Sequence, residues 1–385
     1  MKINKTLAIT LVASLNLTAC NTGGTGPIPT TGPNVALVTA GSGYNGQGAN
    51  TPYITVTVCI PNTQTCQTID SILLDTGSVG LKINQSQISI ALPSILQTGT
   101  NFPYAVCNLY GSGYAFATAN YADVYISGEK ATNIPIQIIN DGNQSNVPTS
   151  CSNQGPQILF LNSGAKGIIG INPIVNLANS TNYTYVLNNG SYIESTSGIP
   201  VPYLNVNPVG YFESDNNGEI ISLPAATNNS NTNLFGTITF GLNTESNNNI
   251  PANIKSVLGD PNDFIGEFQA TTQATTYSAM FDSGTNVWLF YDTSIAPCSD
   301  GSGNYCPSGG SATWQSTISN YNGGNSITID ATIQTPANNS IMPFWGVQDS
   351  SGILYGLPFY YGKNVYLGFV GSKTSMGAGP TWGYQ

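Results

Sequence analysis

The stretch "ILLDTGSVGLKI", Ile72 to Ile83, sets one acid, Asp75, inside a run that otherwise has the composition of a buried strand. A carboxylate taken out of water is costly unless it is hydrogen-bonded or shares its charge. The sequence supplies a partner. "AMFDSGTNVWLF", Ala279 to Phe290, repeats the pattern: three apolar residues, Asp, a hydroxyl residue, Gly, a second hydroxyl residue, and a further apolar run. Each copy also has a later echo, "GIIGI" at Gly167 to Ile171 and "ILYGLPF" at Ile353 to Phe359. A single Asp-Ser/Thr-Gly carries little weight, since roughly one chain in five of this length holds one by chance at average composition. Two copies in matching context are specific. The chain therefore divides into two halves that each bring one Asp loop, with Asp282 as the partner of Asp75.

The composition leaves few other chemistries open. The length, 385 residues, suits two lobes, and 40% apolar content is enough to fill a sizeable core. Only 7% of the residues are charged, against roughly 25% in an average soluble domain; Asn, Ser, Thr and Gly carry the polarity instead. There is no histidine, and the eight basic residues are all lysine. A Ser-His-Asp or Cys-His nucleophile and a His-Glu-x-x-His zinc site are thereby excluded. A net charge of −10 argues against a nucleic-acid partner. Acid–base chemistry falls to the 18 Asp and Glu residues.

Runs such as "YITVTVCI", "DVYISG", "IPIQII", "TITFG" and "SITIDATIQT" are rich in Val, Ile, Thr and Tyr and bounded by Gly, Asn or Pro, so they predict strands. Short helices are expected at 172–179 and 314–321, and 224–233 has the composition of a linker. Glu213, Asp215 and Glu219 could hold calcium through oxygen ligands, but a solvated acidic turn is the expectation. Trp288, Trp314, Trp345 and Trp382 could line a cleft, and core or strand-face positions are expected for most aromatics.

The start of the chain has the form of an export signal: Lys2 and Lys5, then a mostly apolar Leu7 to Leu17. Leu17-Thr18-Ala19-Cys20 resembles a bacterial lipobox, which implies lipidation of Cys20, and Asn21 resembles signals that sort to the outer membrane. The expectation is an exported bacterial lipoprotein of the outer membrane or cell surface: residues 1–19 a signal peptide, 20–34 a flexible tether. Six cysteines then remain, an even number in an exported chain. Cys59 and Cys66 bracket one short loop, and Cys298 and Cys306 bracket another. Cys107 and Cys151 would pair by elimination.

The two Asp loops resemble those of pepsin-type aspartic peptidases, one per lobe, meeting at a pseudo-two-fold axis. The resemblance lands on Asp75-Thr76-Gly77-Ser78 and Asp282-Ser283-Gly284-Thr285. It implies that Asp75 and Asp282 share a proton, the ionised one activating a water and the protonated one polarising the scissile carbonyl. Thr76 and Ser283 would tie the loops together, Ser78 and Thr285 would bond the carboxylates, and Gly77 and Gly284 would permit close approach. "YGSGYAFATANYADVYISG", Tyr110 to Gly128, resembles the flap hairpin of that family. Tyr110 would be the flap tyrosine, with Gly111, Ser112 and Gly113 forming a tip freed by its glycines. The departures are Val79-Gly80 after the first loop, Leu357-Pro358 after the second echo, and no Lys/Arg-rich prosegment before the first strand, so zymogen control is not expected.

The layout is closer still to a family of exported bacterial proteins known as domain of unknown function 3443. The segments that carry this are "CIPNTQTCQTIDSILLDTGSVGL", "TESNNNIPAN" and "YGLPFYYGKNVYLGF". The expected fold is mostly β, a bilobal pepsin-like aspartic protease fold with lobes 35–224 and 225–385 around a central cleft. The expected function is a lipid-anchored aspartic endopeptidase, a monomer acting on peptide or protein substrates without cofactor or metal. The rival is a catalytically inactive pepsin-fold surface lipoprotein that binds peptide or glycan in its cleft. A glycosidase built on the same acids is the weakest reading, because the hydroxyl-glycine context has no role in that chemistry.

Overall fold

A computed structural model describes residues 31–140, 146–179 and 183–385; Cys20 and the signal-like start lie outside them. The described chain is mostly β, with 47% of residues in strands, 5% in helices and barrel-like sheets. In the first half, β1 (Val35–Gly41), β2 (Thr51–Cys59) and β3 (Cys66–Asp75) are followed by β4 (Val79–Asn84), β5 (Tyr104–Tyr110), β6 (Gly113–Ile126), β7 (Glu129–Ile139) and β8 (Gly167–Ile171). β2 and β3 form a hairpin closed at its tip by the Cys59–Cys66 disulfide. β8 then lies parallel to β3 and antiparallel to β4, and β7 runs parallel to β4.

The second half repeats this arrangement strand for strand. Phe268–Thr272 and Thr275–Phe281 form the hairpin. Ile353–Tyr355 lies parallel to Thr275–Phe281 and antiparallel to Trp288–Phe290, and Gly346–Gln348 runs parallel to Trp288–Phe290. The registers match as well. Leu74 and Leu81 both face Ile169, as Phe281 and Trp288 both face Tyr355. Both sequence echoes thus end up as the strand that supports an Asp loop.

The halves meet in one sheet. β1 pairs with Leu234–Phe240, and through it a 15-stranded sheet continues to Gly218–Ser222, Asn364–Gly368, Thr381–Tyr384 and Lys255–Leu258. A seven-stranded sheet holds the second Asp motif. One apolar cluster runs through both, from Val38, Ile72 and Leu74 to Phe281, Phe359 and Trp382. Phe281 stacks on Phe359 with ring centroids 4.4 Å apart, and Phe290 on Trp314 at 4.1 Å.

Three disulfides are present, Cys59–Cys66, Cys107–Cys151 and Cys298–Cys306. The segment 224–233 is irregular, as expected. Neither expected helix exists. Residues 314–321 fall largely in the strand Ser311–Ser319, where Trp314, Ser316 and Ile318 face inward with period two; alternation and the β-branched Thr317 and Ile318 override the helical reading. In 172–179, the Asn172 side chain takes the Ile174 amide and Asn176–Leu177 pairs with Asn205–Val206, which leaves no room for a helical ladder. The acidic stretch also departs from expectation. Glu213 is exposed, but Asp215 is buried and accepts the Thr244 hydroxyl, and Glu219 is fully buried on the strand Gly218–Ser222.

Candidate active site

Each aspartate ends a strand, and its tetrad turns the chain into the next one. The turn is built by the acid itself. Gly77 N donates to Asp75 Oδ1 at 2.8 Å and Gly284 N to Asp282 Oδ1 at 2.9 Å. The second oxygen takes a hydroxyl: Ser78 donates to Asp75 Oδ2, and Thr285 to Asp282 Oδ2 at 2.6 Å. A carboxylate thus does locally what an Asx turn does in a loop.

The two turns are completed by each other. Thr76 N donates to Ser283 Oγ at 3.1 Å, and Ser283 N to Thr76 Oγ1 at 2.9 Å. Each hydroxyl passes its own proton across, Thr76 to the Phe281 carbonyl at 2.6 Å and Ser283 to the Leu74 carbonyl at 2.7 Å. Both side chains are wholly buried, so every one of these polar groups needs its partner. Residues 207 apart in sequence are held in one closed hydrogen-bond ring.

That ring brings the carboxylates together. A Cβ on Gly77 would lie 2.7 Å from Asp282 Cγ, and one on Gly284 2.7 Å from Asp75 Cγ. Only glycine fits at either position. Asp75 and Asp282 are nearly buried, while Gly77, Ser78, Gly284 and Thr285 are partly exposed, so the pair is reached from that side. Burial, and after it the charge of Asp75 and a hydrogen bond with it, hold the Asp282 carboxyl well above the usual carboxylate range. The donors Thr285 and Gly284 oppose this and do not outweigh it. Two like charges this close in a dry site cannot both persist, so one proton stays.

The β5–β6 hairpin turns at Gly111-Ser112, with Tyr110 opposite Gly113. The Tyr110 ring packs edge-on against Phe160, centroids 5.5 Å apart. Its hydroxyl is buried without a hydrogen-bond partner, and its pKa is raised far above the ordinary value by burial and by the charge of Asp75. Gly113 does not loosen the tip. Its φ is +145°, a Cβ would run into the Pro156 carbonyl, and the neighbouring Tyr114 N donates to that same oxygen at 3.0 Å. Ile158 N returns a bond to Tyr114 O at 2.7 Å, and Cys107–Cys151 fastens the same loop to β5. Gly111 is the open position, with nothing within 4 Å of a Cβ.

Four residues that the motifs did not point to complete the site. Tyr360 Oη lies 3.0 Å from Thr76 Oγ1 and 3.0 Å from the Phe281 carbonyl. Asn172 Nδ2 donates to Thr76 O at 2.9 Å. Lys82, almost fully buried, donates to Val79 O at 2.6 Å on the exit of the Asp75 loop. Glu219 lies beyond Tyr360, with both oxygens buried and unpartnered. The signals were present but local pattern hides them: Lys82 is the one basic residue inside the first motif, and Tyr360 follows the second echo. Trp288, Trp314 and Trp382 are core residues, and Trp345 bonds Asn304 at 2.7 Å.

Among the described residues, no three His, Cys, Asp or Glu side chains gather as metal ligands, and Glu213, Asp215 and Glu219 do not converge. The chain belongs to the family described as Protein of unknown function (DUF3443), which matches residues 30–384. No curated protein matches it.

Proposed function

We propose that this member of the DUF3443 family has a pepsin-like, bilobal aspartic protease fold and works as an aspartic endopeptidase. The observation that carries the reading is the hydrogen-bond ring that presses two buried carboxyls together, with Asp282 held protonated beyond the usual carboxylate range. The repeated strand topology around the two loops supports the fold.

In this mechanism the ionised Asp75 takes a proton from water as its oxygen attacks the scissile carbonyl carbon, and Asp282 gives its proton to the carbonyl oxygen. A neutral diol results, and the charge has moved to Asp282. Asp75 then hands its new proton to the leaving nitrogen as the C–N bond breaks, and a diol hydroxyl returns a proton to Asp282. The pair ends as it began. Tyr110, in the field of Asp75, would cover the substrate from the hairpin side.

Asp75→Asn and Asp282→Asn are each expected to abolish peptide cleavage, with strongly non-additive effects, because the two act as a unit. Activity should peak below neutrality and fall on both sides, as the shared proton leaves or a second one binds. A peptide mimic with a hydroxyl at the scissile position should inhibit. A folded protein that cleaves no peptide library between pH 2 and 7 and does not bind the mimic would instead be the cleft-binding lipoprotein. For location, we propose export and lipid anchoring at Cys20, a setting in which three disulfides are expected to persist. Palmitate labelling that survives Cys20→Ser would overturn the anchor.

A further inference from the structure

The hydrogen bonds of the two aspartates are matched, amide to Oδ1 and hydroxyl to Oδ2 on both sides, save for a longer bond from Thr285 N to Asp282 Oδ1 at 3.3 Å. The charges around them are not. In the strand rows of the first half, Asp75, Gly170 and Gly80 lie side by side, and Leu73, Ile168 and Lys82 lie two rows on, beyond Leu74, Ile169 and Leu81. Residues paired across a sheet, and those two apart along a strand, share a face. Lys82 therefore rises on the same face as Asp75, two rows away. The ammonium curls back toward that acid, donating to Val79 O at 2.6 Å and Gly80 O at 3.4 Å. Gly80 is set by its backbone, with φ at +100°, and a Cβ there would only touch Nζ at 3.5 Å. The Ser78–Val79 peptide passes 2.5 Å from where a Cβ of Gly170 would be.

The second half has no cation at the matching position; its desolvated lysine, Lys363, instead donates to Phe359 O at 2.8 Å on the Leu357–Tyr360 helix. Leu289 faces Leu354 as Lys82 faces Ile168, at the same offset that relates the two aspartates. The side chains around Lys82 are otherwise neutral. Gln137, its partner on β7, bonds Asn108 at 2.6 Å and Asn205 at 2.8 Å. The titratable groups near the aspartate pair are Tyr110 on the hairpin and Tyr360 on the Leu357–Tyr360 helix, with Glu219 beyond the latter. None of these is a cation at any pH.

We propose that Lys82 is a positioning residue that breaks the symmetry of the pair, fixing the negative charge on Asp75 and leaving the proton to Asp282. A buried ammonium with no carboxylate in contact is expensive to keep. Its place in the fold is accounted for if its field serves the acid two rows away on the same face. Burial pulls the Lys82 ammonium down to about 8, and Asp75 opposes the fall, so the two groups feel each other. The consequence for catalysis, Asp75 as base and Asp282 as acid, rests on the peptidase reading; the charge assignment does not.

The test is a titration that needs no substrate. In protein carrying 13C-carboxyl aspartate, signals assigned with Asp75→Asn and Asp282→Asn should show a carboxylate at 75 and a carboxylic acid at 282 at pH 5 to 6. In Lys82→Leu, which installs the residue of the other half, the protonation step of Asp75 should rise by about 1 pH unit. Lys82→Arg should restore it. Should the leucine variant fail to fold, the wild-type protein still decides: the Asp75 signal should shift with the same midpoint as Lys82 Cε, near pH 8. An Asp75 step unmoved in Lys82→Leu, a proton found on Asp75, or an Asp75 signal blind to the lysine titration would each overturn the proposal. If the protein does cleave peptides, the acid limb of its kcat/KM profile should move with the same increment. A protein that shows these titrations and cleaves nothing keeps the charge assignment and loses only the peptidase.

Discussion

Thr76 has more demands on one hydroxyl than any other residue of the site. It accepts the Ser283 amide, donates to Phe281 O and lies against Tyr360 Oη. Thr76→Val keeps the shape and removes all three contacts, stranding the buried Ser283 N–H, while the Phe281 carbonyl keeps the Tyr360 hydroxyl. A cost of about 1 to 3 kcal/mol is expected for the unsatisfied group. Chemical denaturation measures it, and a loss below about 0.5 kcal/mol would mean that the ring is not closed in solution. Thr76→Ser should recover most of the stability. The aspartates and their hydroxyl and glycine neighbours were legible in the sequence because each tetrad makes its own turn. Lys82, Asn172, Tyr360 and Glu219 were not. Asn172 and Tyr360 reach Thr76 from 96 and 284 residues away, and Lys82 comes to share a face with Asp75 only through strand register, which no local pattern encodes.

Among the elements, the β5–β6 hairpin shows most clearly how far a motif can be trusted. The tyrosine and the two glycines were visible as a turn; that one glycine is a docking point was not. Its meaning depends on the Pro156 carbonyl, 43 residues further on, together with a positive φ. Gly113→Ala is therefore expected to cost about 1 to 3 kcal/mol and to release the hairpin from the 146–158 loop. Gly111→Ala, two residues away and in open space, should change stability by less than about 0.5 kcal/mol. Hydrogen exchange at Tyr114 and Ile158 reports the release; equal protection in the two variants would show that the tie is not there. The misread strand Ser311–Ser319 makes the same point from the other side. Its polar residues fit a helix pattern, and its alternation becomes decisive only with strands on both flanks.

At the scale of the whole molecule, two buried acids set how stability depends on pH. Glu219 and Asp282 both titrate well above the usual carboxylate range, Glu219 through burial alone and Asp282 through burial and Asp75. The folded state therefore binds their protons more tightly than the unfolded chain does. Their contribution is complete below about pH 4 and is lost as pH rises toward their folded values, by up to about 1.4 kcal/mol per pH unit for each group. Lys82 and Lys363, lowered to about 8 by burial, act in the opposite sense and return stability only above that pH. Melting temperature should thus fall between pH 5 and 8, an unusual profile. Glu219→Gln, which has no proton to lose, should gain on the parent steadily across that window. A constant difference between the two would place the Glu219 carboxyl in water.

The closed ring of Thr76 and Ser283 has one more consequence, for the order of events as the chain folds. Each disulfide closes within one half, so no covalent bond pulls the two Asp loops together. Before docking, each acid has its own turn but no partner acid, and the Thr76 and Ser283 groups that join the loops are open to water. The shared proton arises only when the second loop arrives. On the proposed peptidase reading, chemistry at this pair would thus belong to the finished molecule alone, because the proton-sharing pair forms only when the two loops dock.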